Sequence, residues 1–114
     1  MEEKKEQIVY DDFQKVALKV GRVLTCERVP KSKKLIKMTV DVGEAEPRQI
    51  LAGIGPYYTD QEMLGRRVVV VANLAPATLM GFESQGMLLA ASTAAGQAVL
   101  VNVPEGVEPG ASIS

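Results

Sequence analysis

Four consecutive valines, Val68 to Val71, open the segment VVVVANL and constrain the fold more than any other feature of the chain. β-Branched side chains lose rotamer freedom in a helix and pack well on a pleated surface, so the run predicts a strand. Because it is apolar on both faces, something must cover its outer side, either a second copy of the chain or the chain's own C-terminal segment. A second short apolar run, GMLLAA (Gly86 to Ala91), follows a glycine and predicts another strand. Between the two lie Asn73, Pro76, Gly81, Glu83, Ser84, Gln85 and Gly86. Pro and Gly punctuate the backbone, and the neutral side chains supply donors and acceptors where two strands end.

The rest of the chain reads as more strands. Val16, Leu18 and Val20 alternate with Lys15, Ala17 and Lys19, a half-buried strand, and the phase blurs after Gly21, which marks a bend or bulge. Pro30 and Ser32 break that strand. Ile36, Met38, Val40 and Val42 then alternate with polar residues, GEAEP turns the chain, and RQILAGI is a third strand. Thr59 stands three residues before Glu62, the spacing of a capping box, and Gly65 closes a short helix. Five strands with a short helix between the third and fourth match an OB-fold barrel, an all-β architecture whose outer face and loops bind oligonucleotides. Residues 8–91 are expected to form the barrel, 1–7 a flexible head or linker remnant, and 92–114 a C-terminal β extension that includes QAVLVNV.

At 114 residues the chain is sized for one domain. The single cysteine, Cys26, allows no internal disulfide, fits a reducing compartment and reads as core. No apolar run approaches the roughly 20 residues that span a bilayer, so the expected setting is soluble and cytoplasmic. The formal net charge of −1 conceals a strong asymmetry. Eight of the 13 basic residues fall between Lys15 and Lys37 with one acid, Glu27, which makes that segment +7. From Val68 onward there is no Lys or Arg, and Glu83, Glu105 and Glu108 make that part −3. A polyanion therefore has one place to dock, in the first third of the fold.

The pattern Asn-Leu-x-Pro-x-x-x-x-Gly-x-x-Ser-x-Gly-Met, from Asn73 to Met87, resembles the signature of the tRNA-binding domain appended to bacterial methionyl-tRNA synthetases and of its free-standing relatives. The similarity begins at DDFQKVALKVGRVL, runs through KLIKMTVDVG and GIGPYYTDQEMLGRRVVVVANL, and fades after about Ala91. The resemblance implies a module that binds the folded body of tRNA with little sequence preference, pairs into a homodimer through its C-terminal extension, and works with a methionyl-tRNA synthetase catalytic domain. One departure stands out. Relatives often carry Lys or Arg inside the Pro-x-x-x-x-Gly loop, whereas this chain has Ala75, Ala77 and Thr78, so its attraction for RNA rests on the basic segment.

Two groups of residues are expected to contact tRNA. Lys31, Lys33, Lys34 and Lys37 crowd one loop and strand, with Lys19 and Arg22 extending the same patch from the preceding strand; the plainer alternative is a solvated surface. Asn73, Ser84, Gln85 and Met87 form the second group. Their residue types fit local backbone satisfaction and core packing as well as RNA contact, and the resemblance tips them toward contact. Of the five aromatics, Phe82 is the stacking candidate, while Phe13, Tyr57 and Tyr58 read as packing; so few rings suit recognition by shape and phosphates better than base reading. Catalysis is not expected. The chain has no His, its carboxylates show no metal-loop spacing, and Ser84 is not in a nucleophile elbow, so neither cofactor nor metal is implied. The alternatives are a peptide-binding module like the export chaperones that share this barrel, or a domain serving dimerisation alone. Those chaperone relatives generally lack the Ser-x-Gly-Met ending, which is intact here from Ser84 to Met87.

Overall fold

The structure, a computed structural model, describes residues 5–114; the first four residues of the expected 1–7 head lie outside the described residues. A short helix, α1 (Tyr10–Gln14), precedes the sheet and was not anticipated by the alternation around Val16. It has no side-chain cap and buries none of its residues. Phe13, expected to pack, is exposed, as are Val16 and Tyr57, whereas Tyr58 packs against the core.

Five strands build the barrel: β1 (Leu18–Arg28), β2 (Ile36–Asp41), β3 (Arg48–Ala52), β4 (Arg67–Val71) and, after a hairpin, β7 (Met87–Leu88). Their order is β3-β2-β1-β4-β7, all antiparallel. β1 runs through the whole barrel: Leu18 to Arg22 pair with β4, and Arg22 to Arg28 pair with β2. The expected helix is α2 (Asp60–Met63). Thr59 and Glu62 form a full capping box, in which Thr59 Oγ1 accepts from Glu62 N at 3.1 Å and Glu62 Oε1 accepts from Thr59 N at 2.8 Å. That contact holds the Glu62 carboxyl below the usual carboxylate range.

The core is aliphatic, with Ile36, Met38, Val40, Ile50, Met63, Val68 and Val70 fully buried. Gly21 is not a bend. It faces this core, where an added Cβ would lie 2.6 Å from Val40 Cγ1 and 2.8 Å from Val70 Cγ2. The bulge falls three residues later, between Val23 and Thr25, which is why Val23 and Leu24 break the alternation in sequence.

The segment treated as a loop in sequence contains a hairpin, β5 (Ala77–Leu79) and β6 (Phe82–Ser84). Met80 and Gly81 both take positive φ (51° and 83°), the geometry of a type I′ turn. GMLLAA divides into β7 and β8 (Ala90–Ser92), and β8 pairs with β9 (Ala98–Leu100). A last strand, β10 (Ser112–Ile113), pairs with the start of β1. The backbone beside it also binds β1, since Val20 N donates to Ala111 O (2.9 Å) and Gly110 N donates to Val20 O (2.7 Å). Val69 and Val71, the outward half of the valine run, are buried within the single chain. The run therefore needs no second copy to cover it.

Gly21→Ala should destabilise the protein by about 1–3 kcal/mol, because both crowding atoms belong to β-branched core side chains with little room to yield. Urea unfolding read by circular dichroism measures it, and an unchanged midpoint would contradict the close approach.

Candidate nucleic-acid interface

The outward residues of β2 are Lys37, Thr39 and Asp41, and their cross-strand partners on β1 are Glu27, Thr25 and Arg22. The C-terminal extension pairs with the edge of β1 only near its start, and further along the strand the outward residues Thr25 and Glu27 are exposed. There Thr25 and Thr39 share a hydroxyl hydrogen bond of 2.7 Å. Together with Glu27, Lys37 and Gln49 they line a shallow depression of about 350 Å³. Cys26 borders it and packs on the core. Burial, and then the Asp60 carboxylate beside it, push the Cys26 thiol up to about 11, so it is protonated and inert near neutrality.

Lysines flank this face at the β1–β2 loop. Lys31, Lys33 and Lys34 are exposed and make no ion pair among the described residues. The loop beneath them is fixed. Ser32 Oγ accepts from Leu35 N (3.1 Å), and Gly55 N donates to Lys34 O (2.8 Å). Arg28 Nη1 and Nη2 donate to Gly55 O (2.6 Å) and Tyr58 O (2.8 Å), while Nε lies 3.3 Å from Asp60 Oδ1. Arg28 is thus committed to holding the loop.

Lys37 is held from two sides. Its Nζ sits 2.9 Å from Glu27 Oε1 and 4.3 Å from the centroid of the Phe82 ring, a cation–π contact. The structure therefore joins Lys37 on β2 to Phe82 on β6, which borders the same face.

The neutral residues of the signature do something else. Leu51 N donates to Ser84 Oγ (3.0 Å), and Ser84 Oγ donates to Gly86 O (3.0 Å). Gln49 N donates to Gln85 Oε1 (2.9 Å), Gln85 N donates to Gln49 O (2.8 Å), and Gln49 Nε2 donates to Glu83 O (2.8 Å). These bonds close the barrel between β3 and the segment entering β7, so Ser84 is buried and its hydroxyl is fully engaged. Asn73 works likewise at the end of β4, donating from Nδ2 to Lys15 O (2.6 Å) and accepting from Ala17 N at Oδ1 (2.8 Å). Met87 is neither core nor clip; it is about half exposed, opposite Val71.

Lys19 and Arg22 do not extend the lysine patch. Arg22 lies five residues before Glu27 on β1, roughly 16 Å along the strand. It pairs with Arg67 on β4, and Lys19 sits opposite Val70. Sequence reasoning passed over Thr25, Thr39 and Gln49; the alternation of β2 marks Thr39 as outward, but nothing local identifies its partners.

The profile of the family described as "Putative tRNA binding domain" matches residues 18–112, from the first barrel strand to the last short one. The chain belongs to this family. The methionine–tRNA ligase of Archaeoglobus fulgidus is 52% identical over 97% of this chain, and that of Caldanaerobacter subterraneus is 50% identical over 99%. The chain spans only 17% of the length of each of these curated relatives. A MetRS-related protein from Pyrococcus horikoshii matches in structure with a TM-score of 0.91 and 41% identity, covering 96% of this chain and 100% of that one. The chaperone CsaA from Bacillus anthracis has the same fold, with a TM-score of 0.85 and 28% identity over 96% of this chain and 100% of that one. The all-β OB barrel expected from sequence is thus the fold of this tRNA-binding family. Among the described residues no group of acids, Cys or His could hold a metal ion, and no helix is long and apolar enough to cross a membrane.

Ser84→Ala strands the buried Leu51 N–H and should cost about 1–3 kcal/mol in urea unfolding. If stability is unchanged, Ser84 does not close the barrel.

Proposed function

We propose that this domain binds folded tRNA by shape and phosphate contacts with little sequence preference, as a non-catalytic module acting in cis or in trans with a methionyl-tRNA synthetase catalytic domain in the cytoplasm. The observation that carries the reading is the set of exposed lysines, Lys31, Lys33 and Lys34, without an ion pair among the described residues, on a braced loop beside the open face of a tRNA-binding-family barrel. A fixed loop presents its charges without a large ordering cost. Lys37 and Phe82 form the adjoining ridge, where a ribose or base can lie against the ring edge. Asn73, Ser84 and Gln85 serve binding by setting the shape of the hairpin, with Met87 on the neighbouring surface. Raising tRNA concentration near a catalytic domain needs no chemistry from the module.

If about four phosphates are engaged, raising salt from 50 to 200 mM should weaken binding on the order of 100-fold. Neutralising Lys33 and Lys34 to Gln should lower the slope of log affinity against log salt by about 0.7–0.9 per residue. Gel-shift titration of folded tRNA at micromolar protein and low salt tests the reading, and no retardation would overturn it.

We also propose that the protein is a homodimer. Support comes from α1 and its approach, where Ile8, Val9 and Tyr10 are each about two thirds exposed or more and no helix residue is buried. Such a run borders a groove of about 180 Å³ formed by Phe13, Val16, Leu18 and Ile113, at the β10 end of the C-terminal extension. Sedimentation equilibrium should give twice the 12.2 kDa chain mass, and Val9→Asp with Tyr10→Asp should yield a monomer. A wild-type monomer at tens of micromolar would contradict pairing.

A further inference from the structure

The cations that stay out of the four ion pairs are not confined to the lysine loop. Arg22 and Arg67 stand at the other end of the open face, and Arg66 adjoins them, lining one depression with Arg67. Arg22 and Arg67 are direct cross-strand partners on β1 and β4, a like-charge pairing that costs free energy; the acid opposite Arg22 on β2, Asp41, makes no ion pair with it and accepts from Gly43 N at 2.9 Å. No carboxylate forms an ion pair with any of the three among the described residues.

Two of these guanidinium groups are aimed by neutral contacts. Arg67 Nε donates to Val107 O (2.8 Å), which leaves both terminal nitrogens without a protein partner among the described residues. Arg66 donates from Nε to Glu62 O and from Nη1 to Asn102 Oδ1, each at 3.3 Å, with its guanidinium 5.0 Å from the Tyr58 ring centroid. Arg22 makes no hydrogen bond through its side chain among the described residues; its Nη2 lies over Gly65, 4.0 Å from where a Cβ would stand. Gly65, Arg66 and Arg67 line a depression of about 310 Å³ with Asn102. Two acids also line it, but the Glu62 carboxylate is turned to Thr59 N by the capping box, leaving Glu105 on an exposed turn.

We propose that Arg22, Arg66 and Arg67 form a second anion site that takes phosphodiester oxygens of an RNA backbone. Planar forks with free terminal nitrogens match phosphate geometry, and two are already oriented. The site rests on the RNA-binding reading above and gives it a bipartite footprint, with lysines at one end of the open face and arginines at the other.

The test is a salt titration of folded tRNA with the full chain, read by fluorescence anisotropy, for wild type, Arg22→Gln, Glu105→Gln and Lys15→Gln. Lys15 is paired with Asp12 at 3.8 Å, away from both groups, and controls for net charge. Arg22→Gln should bind several-fold more weakly, with a slope reduced by about 0.7–0.9, and Glu105→Gln should bind more tightly. An Arg22→Gln protein indistinguishable from wild type or from Lys15→Gln overturns the site. If wild type does not bind tRNA, the functional reading fails, and the site is judged by titrating tripolyphosphate while following the arginine Nε–H resonances. Saturable shifts at all three arginines sustain it, and their absence overturns it.

Discussion

A barrel of five strands must close, and here the closing seam is made largely by side chains. β3 meets the approach to β7 through Ser84 Oγ, Gln85 Oε1 and the Gln49 amide, with one backbone bond between Gln85 N and Gln49 O. A regular ladder would fix the two strands at one spacing and orientation. Side-chain oxygens standing in for carbonyls let the chain bend away into the β5–β6 hairpin while the buried Leu51 N–H keeps an acceptor. The position of Phe82 against Lys37, and hence the edge of the open face, depends on that seam.

The outer surface is divided by the same economy of contacts. Near the start of β1, backbone bonds to Gly110 and Ala111 and the pairing with β10 extend the sheet along the edge of β1, where Val20 is buried. Beyond Arg22 the outward residues become Thr25, Thr39, Glu27 and Lys37, which line an open depression with the Phe82 ring against Lys37. The boundary falls where β1 exchanges one partner strand for the other, at Arg22, the one residue of β1 paired with both β2 and β4. The curvature of a single strand thus separates the structural half of the face from the polar half.

Much of this was legible from local pattern. The alternation from Ile36, the valine run and the Thr59–Glu62 spacing each correspond to an observed element, because each depends on neighbours within a few residues. α1 was not legible, since YDDFQ has no cap and buries nothing, so no periodic signal exists. The backbone roles of Asn73 and Ser84, which the resemblance reads as RNA contacts, are not legible in sequence, because their partners stand 56–58 and 33 residues away. Gly21 was misread as a bend for a similar reason: the atoms that forbid a side chain there belong to β2 and β4. Counting charge along the sequence also merged two groups, Lys31 to Lys34 and Arg22, that the strand holds apart.

Arg48 gives the hairpin one more property. Its Nη1 donates to both Ala72 O and Gln85 O, while Nε and Nη2 grip Glu44, so one guanidinium ties the two feet of the segment that leaves the barrel. The outer part of that segment is answerable to its own turn and not to the core: Leu74 through Gly81 are all exposed, while Phe82 and Ser84 reach back to the barrel. The tip is then an interchangeable cassette on a fixed mount. The charge at Ala75, Ala77 and Thr78 can then be changed by substitution while the barrel that bears the tip stays the same.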